Sequence, residues 1–485
     1  MDEKNEIKEV LDILKIKSKL GKEFKEKKKP RLMICCNLWM IGGIERVMQQ
    51  LINYFEQKYE IVLVSYVVQG KAYELPDSVE HFYLENQEDC AYSIGYRVSK
   101  LAIFLETDLY IGNANLAIEF LEIYEYLQKS NIKTIMMNHT SWIYPYKYEG
   151  FLCKEVEYRN QIIDKPNVVC FLTNIFSELA ENTFNRTIVT MPNPNTYINY
   201  NEEIDKREET IIAVARFEDP IKRLDKIFRI YKKLSTLNSS VKLCIVGNID
   251  WNVQYEYNGK TLKKMVEELE IPMERVEYVG ETTKIEQYYK RAKALMLTSE
   301  TEGFAMILTE AGNYGVPVVS YYYSGIEDVI EDGKNGFLVE DEDMFVNKLN
   351  ILLNDEKIYH YMKTNTQKFA ERFEKNKIMK RWEELFAILL TSKSQEEIDN
   401  RIATNNLFTR MPSDIKVYKK CIEEYQEILE GIIRRTLRCE DIMYNLNMQL
   451  SESQEEIKML KNLTNKNLLI KKIMKKLHNG IIKNK

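Results

Sequence analysis

From residue 31 onward, short apolar runs alternate with helical periodicities. "RLMICCNLW" leads into the helical pattern "GIERVMQQLINYF", which is followed by "EIVLVSYVV", "LYIGNA", "IKTIMMNHT" and "NVVCFLT", and then by the helix "NIFSELAENTF". Strands that alternate with helices over this length predict a parallel sheet covered on both faces, here one doubly wound α/β domain over about 30–200. A charged stretch, Asn201 to Glu209, interrupts the pattern. It restarts with "TIIAVARF", a helix from Asp225 to Leu237, "VKLCIVG", "VEYVG", "KALMLTS" and "VPVVSY", which gives a second such domain over 201–390. In open parallel sheets ligands lie beyond the carboxyl ends of the strands, so two domains facing each other predict an interdomain cleft with the chemistry inside it.

The flanks read differently. Residues 1–29 predict an amphipathic helix on Ile7, Val10, Leu11 and Leu14, ending in the charge run Lys22 to Lys29 before Pro30. The helices between Phe345 and Leu390, with Trp382, close the second domain and are placed to cross back to the first. Beyond Thr391 a polar link, Ser392 to Asn406, leads into a helical extension over 391–485. Its apolar positions from Ile422 to Leu460 alternate at spacings of three and four, with breaks at Thr436 and Ser453. That seam fits a coiled coil or bundle, either folded on the body or joining a second copy or partner over 420–465. The terminus carries six lysines and no acidic residue from Lys471 to Lys485, interleaved with Leu468, Leu469, Ile473 and Leu477. This combination suits an amphipathic helix on an anionic leaflet, or a solvated tail.

Composition narrows the function. The 485 residues allow about three folding units, and 45% hydrophobic with 29% charged residues is ordinary for a globular chain. A net charge of −5 removes a nucleic-acid binder coated in positive potential. Eight cysteines without a Cys-x-x-Cys give neither a disulfide framework nor a zinc ribbon, and four histidines leave little for an imidazole metal centre. The N-terminus lacks the apolar stretch of a signal peptide and no window reaches the ~20 apolar residues of a membrane span, so a cytoplasmic location is expected.

Four segments carry candidate chemistry. In "SETEGFAMILTEAGNYGVPVVS", Glu302 and Glu310 are separated by seven residues after an apolar run, with Gly303, Phe304, Ala305 and Met306 between a strand end and a helix. A helix N-terminus there attracts phosphate, and eight residues of helix would separate the carboxylates by about 12 Å, enough to grip hydroxyls at two ends of an extended ligand. In "AVARFEDPIKRLDKIFRIY", Arg216 and Lys222 supply a donor fork and a point charge suited to a diphosphate leaving group. Gly42 and Gly43 permit close backbone approach before a helix that begins near Ile44. His139, in "MMNHTSW", falls at a strand end facing the same cleft.

Together these residues resemble the retaining nucleotide-sugar glycosyltransferases of the two-Rossmann (GT-B) architecture, family 4 or group 1-like, which include bacterial polysaccharide and lipid-linked oligosaccharide transferases. The resemblance spans about Arg31 to Leu390 and is strongest from Thr210 to Val339. The two-glutamate motif falls on Glu302 and Glu310, the basic pair on Arg216 and Lys222, the glycine loop on Gly42 and Gly43, the "PN" turn on Pro192 and Asn193, and the first-domain histidine on His139. The resemblance implies that Glu310 binds ribose hydroxyls, Glu302 the donor sugar, and Arg216 and Lys222 the diphosphate. The backbone of Phe304 to Met306 would complete the phosphate site. Arg223 stands where glycine is usual, and Ala305 where glycine or proline often is.

The competing class, a metal-dependent single-sheet transferase, would need an Asp-x-Asp motif. Asp341 and Asp343 match it, but Asp341 directly precedes a helical pattern and reads as its N-cap. The expectation is therefore a metal- and cofactor-independent hexosyltransferase using a nucleoside diphosphate sugar, UDP being the favoured base. Its acceptor is expected to be a saccharide or lipid-linked saccharide of cell-surface glycan synthesis. A protein acceptor, or a catalytically silent sugar-nucleotide-binding module, are the alternatives.

Overall fold

A computed structural model describes residues 3–18, 27–40, 42–67, 72–84, 92–113, 118–142, 154–196, 207–254, 260–410 and most of 413–430. The chain divides into two compact units, Met1–Lys420 and Cys421–Lys485. In the second, residues 421–428 are helical. From residue 431 on, the expected seam and the basic tail lie outside the described residues.

Two sheets frame the first unit. Helix α1 (Glu3–Leu14) and strand β1 (Ile16–Ser18) precede β2 (Arg31–Leu38), α2 (Gly43–Phe55), β3 (Glu60–Val67), β4 (Glu80–Leu84) and α3 (Ile94–Phe104). Then follow β5 (Leu109–Asn113), α4 (Ile118–Lys129), β6 (Lys133–Asn138), α5 (Lys154–Ile162), β7 (Val168–Phe171), α6 (Asn174–Glu181) and β8 (Ile188–Thr190). The strand order is β1-β4-β3-β2-β5-β6-β7-β8. All pairs are parallel except β1 with β4.

The second sheet uses β9 (Thr210–Val214), α7 (Leu224–Leu237), β10 (Lys242–Val246), α8 (Leu262–Glu268), β11 (Val276–Gly280), α9 (Glu286–Arg291), β12 (Ala294–Leu297), α10 (Met306–Asn313), β13 (Val318–Tyr321) and β14 (Gly336–Val339). Its order is β11-β10-β9-β12-β13-β14, parallel throughout. Both sheets reverse their winding direction, at β2/β5 and at β9/β12, and at such points the helices diverge and leave a crevice at the strand ends. Helix α2 follows β2 and α10 follows β12, so the glycine loop and the glutamate motif each start a helix at a crevice.

Helix α2 buries Val47, Met48, Leu51, Ile52 and Phe55 as one stripe, the i, i+4, i+8 spacing of a helix laid on a sheet. Four more helices close the second domain: α11 (Glu342–Asn354), α12 (Glu356–Ala370), α13 (Lys375–Thr391) and α14 (Gln395–Ala403). Helix α13 crosses back to the first domain. Its Phe386 packs on Phe55 with ring centroids 5.0 Å apart and on Trp382 at 5.6 Å, and Arg381 donates to the carbonyl of Thr190.

Three expectations change. The leader helix stops at Leu14, because Lys15 adopts a positive φ of 50°; the chain then turns into β1, where Ile16 is buried and the strand adds antiparallel to β4. Arg97 holds that turn by donating to the carbonyls of Leu14 and Lys15. Residues 392–406 are not a plain link, since α14 lies within them and buries Ile398 and Ile402. Its Gln395 exchanges hydrogen bonds with Asn167 of the first domain at 3.0 and 2.9 Å. Strands β4, β8 and β14, of three to five residues, carry too short an apolar run to stand out in the sequence.

Candidate active site

The glutamate motif is built on β12 and the loop after it. Thr298, just past β12, donates to the carbonyls of Lys222 and Arg223 at 2.8 and 3.2 Å, which draws the two loops together. Glu302 then meets Lys222, with Nζ to Oε1 at 2.7 Å. Both side chains are mostly shielded, 16% and 19% exposed, so this is a partly desolvated, charge-assisted contact rather than a surface pair. Buried Tyr323 lies near Glu302. Burial, reinforced by the Glu302 charge, pushes its hydroxyl well above the usual range, so it stays protonated.

Glu302 does not share a helix with Glu310. Helix α10 begins only at Met306, after an extended Ala305 (φ −73°, ψ 91°), so the 12 Å helical separation expected from the spacing does not apply. Gly303 lies in the loop before the helix, and a Cβ there would overlap the carbonyl oxygen of His139 in the first domain. Ala305 offers no side-chain cap, which leaves the first-turn N–H groups of α10 without one.

Glu310, one turn into α10, is 3% exposed. Its Oε1 accepts from Arg46 Nη1 at 2.6 Å and from Thr196 Oγ1 at 3.3 Å, and its Oε2 from the Tyr289 hydroxyl at 3.3 Å. Burial pushes this carboxyl above its ordinary value, opposed chiefly by the Arg46 charge.

On the other wall, Gly43 lies against Met306: a Cβ on it would sit 3.8 Å from Met306 Sδ. Gly42 is the N-cap of α2 and leaves room for the Glu45 carboxylate to fold back over it, the reach of an acidic N3 side chain toward its cap. Burial raises the Glu45 pKa, and the nearby Arg216 charge partly offsets it. Arg216 itself is exposed at the end of β9. His139, past the end of β6, has Nε2 2.7 Å from Asn113 Oδ1. Since Asn113 Nδ2 donates to the Cys35 carbonyl at 3.1 Å, Oδ1 is the acceptor and Nε2 carries the proton. Burial pushes His139 down to about 4, so the ring is neutral near pH 7.

Arg223, in the position where glycine is usual, adopts left-handed φ 52°, ψ 52°. The conformation that favours glycine is kept, and the side chain is held by two 2.9 Å bonds to buried Asp225 and a pair with Glu300. Asp341 caps α11, accepting from Met344 N at 2.7 Å, and Asp343 pairs with Lys233 at 2.8 Å.

The structure thus brings Gly43 against Met306, His139 against Gly303 and Lys222 against Glu302, with Phe304, Ala305 and Glu310 buried behind them and Arg216 near Glu45, which folds over Gly42. Arg46, Thr196, Tyr289 and Tyr323 carry no signature in the sequence, because each meets the glutamate motif only through tertiary packing. The pairing of "GGIER" with a distant glutamate has no local signature.

Two doubly wound domains with a shared cleft of this kind define the GT-B fold. Residues 167–369 match the family model described as Glycosyl transferases group 1. The chain is 24% identical over 356 residues to an uncharacterized glycosyltransferase of Haemophilus influenzae, covering 71% of this chain and 96% of that one. It is 25% identical over 362 residues to a Campylobacter jejuni protein named GalNAc-alpha-(1->4)-GalNAc-alpha-(1->3)-diNAcBac-PP-undecaprenol alpha-1,4-N-acetyl-D-galactosaminyltransferase, covering 71% and 95%. Among solved structures, the pneumococcal O-GlcNAc transferase GtfA in complex with UDP and GlcNAc superposes with a TM-score of 0.60 at 13% identity, over 75% of this chain and 100% of that one. Together these matches support a group 1 glycosyltransferase of the GT-B fold. Among the described residues no helix is long and apolar enough to cross a membrane.

Proposed function

We propose that this glycosyltransferase moves a hexose-type sugar from a UDP-sugar to a saccharide or lipid-linked saccharide, with retention at the anomeric carbon and without a metal. The observation that carries this reading is the Lys222–Glu302 pair at 2.7 Å, set one helical turn and a loop away from the buried Glu310. Glu310 offers a carboxylate to the ribose hydroxyls. Lys222 and Arg216 neutralise charge on the departing diphosphate, and the uncapped start of α10 adds its N–H groups. Glu302 accepts hydrogen bonds from hydroxyls of the transferred sugar, and the Lys222 ammonium, 2.7 Å away, holds it in place.

In the reaction the bond from C1 to the β-phosphate oxygen breaks and a bond from the acceptor oxygen to C1 forms on the same face. The acceptor proton goes to the departing phosphate oxygen, so the products are the glycosylated acceptor and UDP. The protein supplies position and electrostatics rather than a nucleophile. UDP as the leaving group is supported by the UDP complex of the pneumococcal neighbour, and a lipid-linked acceptor by the name of the Campylobacter relative. A cytoplasmic location, with contact to the inner membrane face through the lysine-rich terminus, fits that acceptor class. The pneumococcal neighbour is an O-GlcNAc transferase by name, which favours a protein acceptor as the second reading.

Incubation with a panel of nucleoside diphosphate sugars and acceptors, followed by proton NMR of the product, tests both readings. An axial glycosidic product from an axial UDP-sugar supports the proposal; an inverted product, or transfer only from another nucleotide, refutes it.

A further inference from the structure

Glu310 is buried in the second domain, yet its shortest contact comes from the first. Arg46 lies on α2 one turn beyond Gly43, and its Nη1 is 2.6 Å from Glu310 Oε1. The arginine is itself anchored: its Nε donates to the Tyr73 hydroxyl at 3.2 Å, and that hydroxyl lies 3.4 Å from the Gly42 carbonyl. The pair is asymmetric, with Arg46 30% exposed and Glu310 4%. The other groups facing the carboxylate are the hydroxyls of Thr196, after β8, and Tyr289, on α9. Tyr314 is stacked on Tyr289 with centroids 5.8 Å apart, and Glu286 lies beyond it. Among the described residues that hydrogen-bond Glu310, Arg46 alone carries a charge.

We propose that Arg46 is a positioning residue of the donor site: from the first domain it holds Glu310 ionised and turned as a hydrogen-bond acceptor for the ribose, so that the nucleoside site is complete only where the two domains meet. The inference rests on reading Glu310 as the ribose carboxylate. A carboxylate has about four lone-pair positions. Arg46 and Thr196 use Oε1 and Tyr289 uses Oε2, which leaves acceptor capacity on each oxygen for two neighbouring hydroxyls. Without the guanidinium, a carboxyl buried this deeply holds its proton to higher pH and loses that capacity. A plug that the ribose must displace would make the same contact, but its removal would have the opposite effect on affinity.

The test is calorimetric binding of UDP to the full chain in wild type, Arg46→Ala, Arg46→Lys and Glu310→Ala, with folding checked by circular dichroism. Arg46→Ala should weaken UDP about tenfold near pH 7, a factor equal to about 1.4 kcal/mol. Relative to wild type, this loss should shrink as pH rises to about 8, because Glu310 regains its charge. Arg46→Lys, which keeps the charge but gives up the Tyr73 contact, should lose less than Arg46→Ala and keep a pH profile parallel to wild type. Tighter binding by Arg46→Ala, or a loss independent of pH, overturns the inference. Should Arg46→Ala fail to fold, an Arg46→Lys profile that diverges from wild type overturns it. Equal binding by wild type and Glu310→Ala would instead refute the assignment of Glu310 itself.

Discussion

Gly303, in the loop of the second domain, passes so close to the carbonyl of His139 in the first that a side chain has no room between them. The two sequence motifs assigned to opposite walls of the cleft therefore meet backbone to backbone, and the glycine is required by the partner domain rather than by its own φ. Replacing it must either push the loop that carries Glu302 or part the domains.

Gly303→Ala is expected to lower transfer at least about tenfold while leaving both sheets folded. Forcing one methyl group into a packed contact of this kind costs about 1–3 kcal/mol. Steady-state transfer and far-UV circular dichroism check this; wild-type turnover would mean the domains do not close as described.

Lys222→Ala, Glu302→Gln and Glu310→Ala are each expected to reduce transfer about thirtyfold to a thousandfold, as loss of a charged hydrogen-bond partner does. Because Lys222 and Glu302 contact each other, the double variant should lose less than the product of the single losses. Strict multiplicativity in that cycle would separate the two residues.

A pH effect is expected at Asp328, which accepts the backbone N–H of Asn174, the first residue of α6, at 2.6 Å across the domain boundary. Burial raises its pKa to about 6. The folded value lies above the unfolded value of about 3.9, so the stability contributed by protonated Asp328 is complete below that lower value and is lost as pH rises through about 6. Asp328→Asn keeps an oxygen for the Asn174 N–H and cannot ionise. Its melting temperature should match wild type near pH 4 and exceed it by a growing margin up to pH 7. A constant difference, or one of opposite sign, contradicts the assignment.

Transfer is expected to persist in EDTA, since Arg216, Lys222 and the α10 terminus supply the positive charge that a divalent ion provides elsewhere. Full loss on chelation, restored by manganese, would contradict this. Asp341, as the cap of α11, would then have to exchange its Met344 contact for the ion.

The sheets were legible because parallel strands buried on both faces are continuous apolar runs, as in β3, β6 and β10, and the alternation with α2 and α7 is regular. Where that signal thins, reading from sequence misses. β1 follows a break at Lys15 that no composition marks, and α14 buries only Ile398 and Ile402 of its nine residues. The site divided the same way. Glu302, Gly303, Met306 and Glu310 lie within nine residues and read as a motif. Arg46 lies 264 positions from Glu310 and Tyr289 reaches it from another helix, so their roles exist only once α2, α9 and α10 pack together.

The central claim is that this cleft breaks the bond between a sugar and UDP using Lys222 and Glu310. Its most direct test is the rate of UDP release from UDP-sugars by the full chain, measured beside Lys222→Ala and Glu310→Ala at matched thermal stability. The account predicts measurable release by wild type from at least one UDP-sugar, and release slowed at least about thirtyfold in each variant. Release from no nucleoside diphosphate sugar, or equal release by all three proteins, would contradict it.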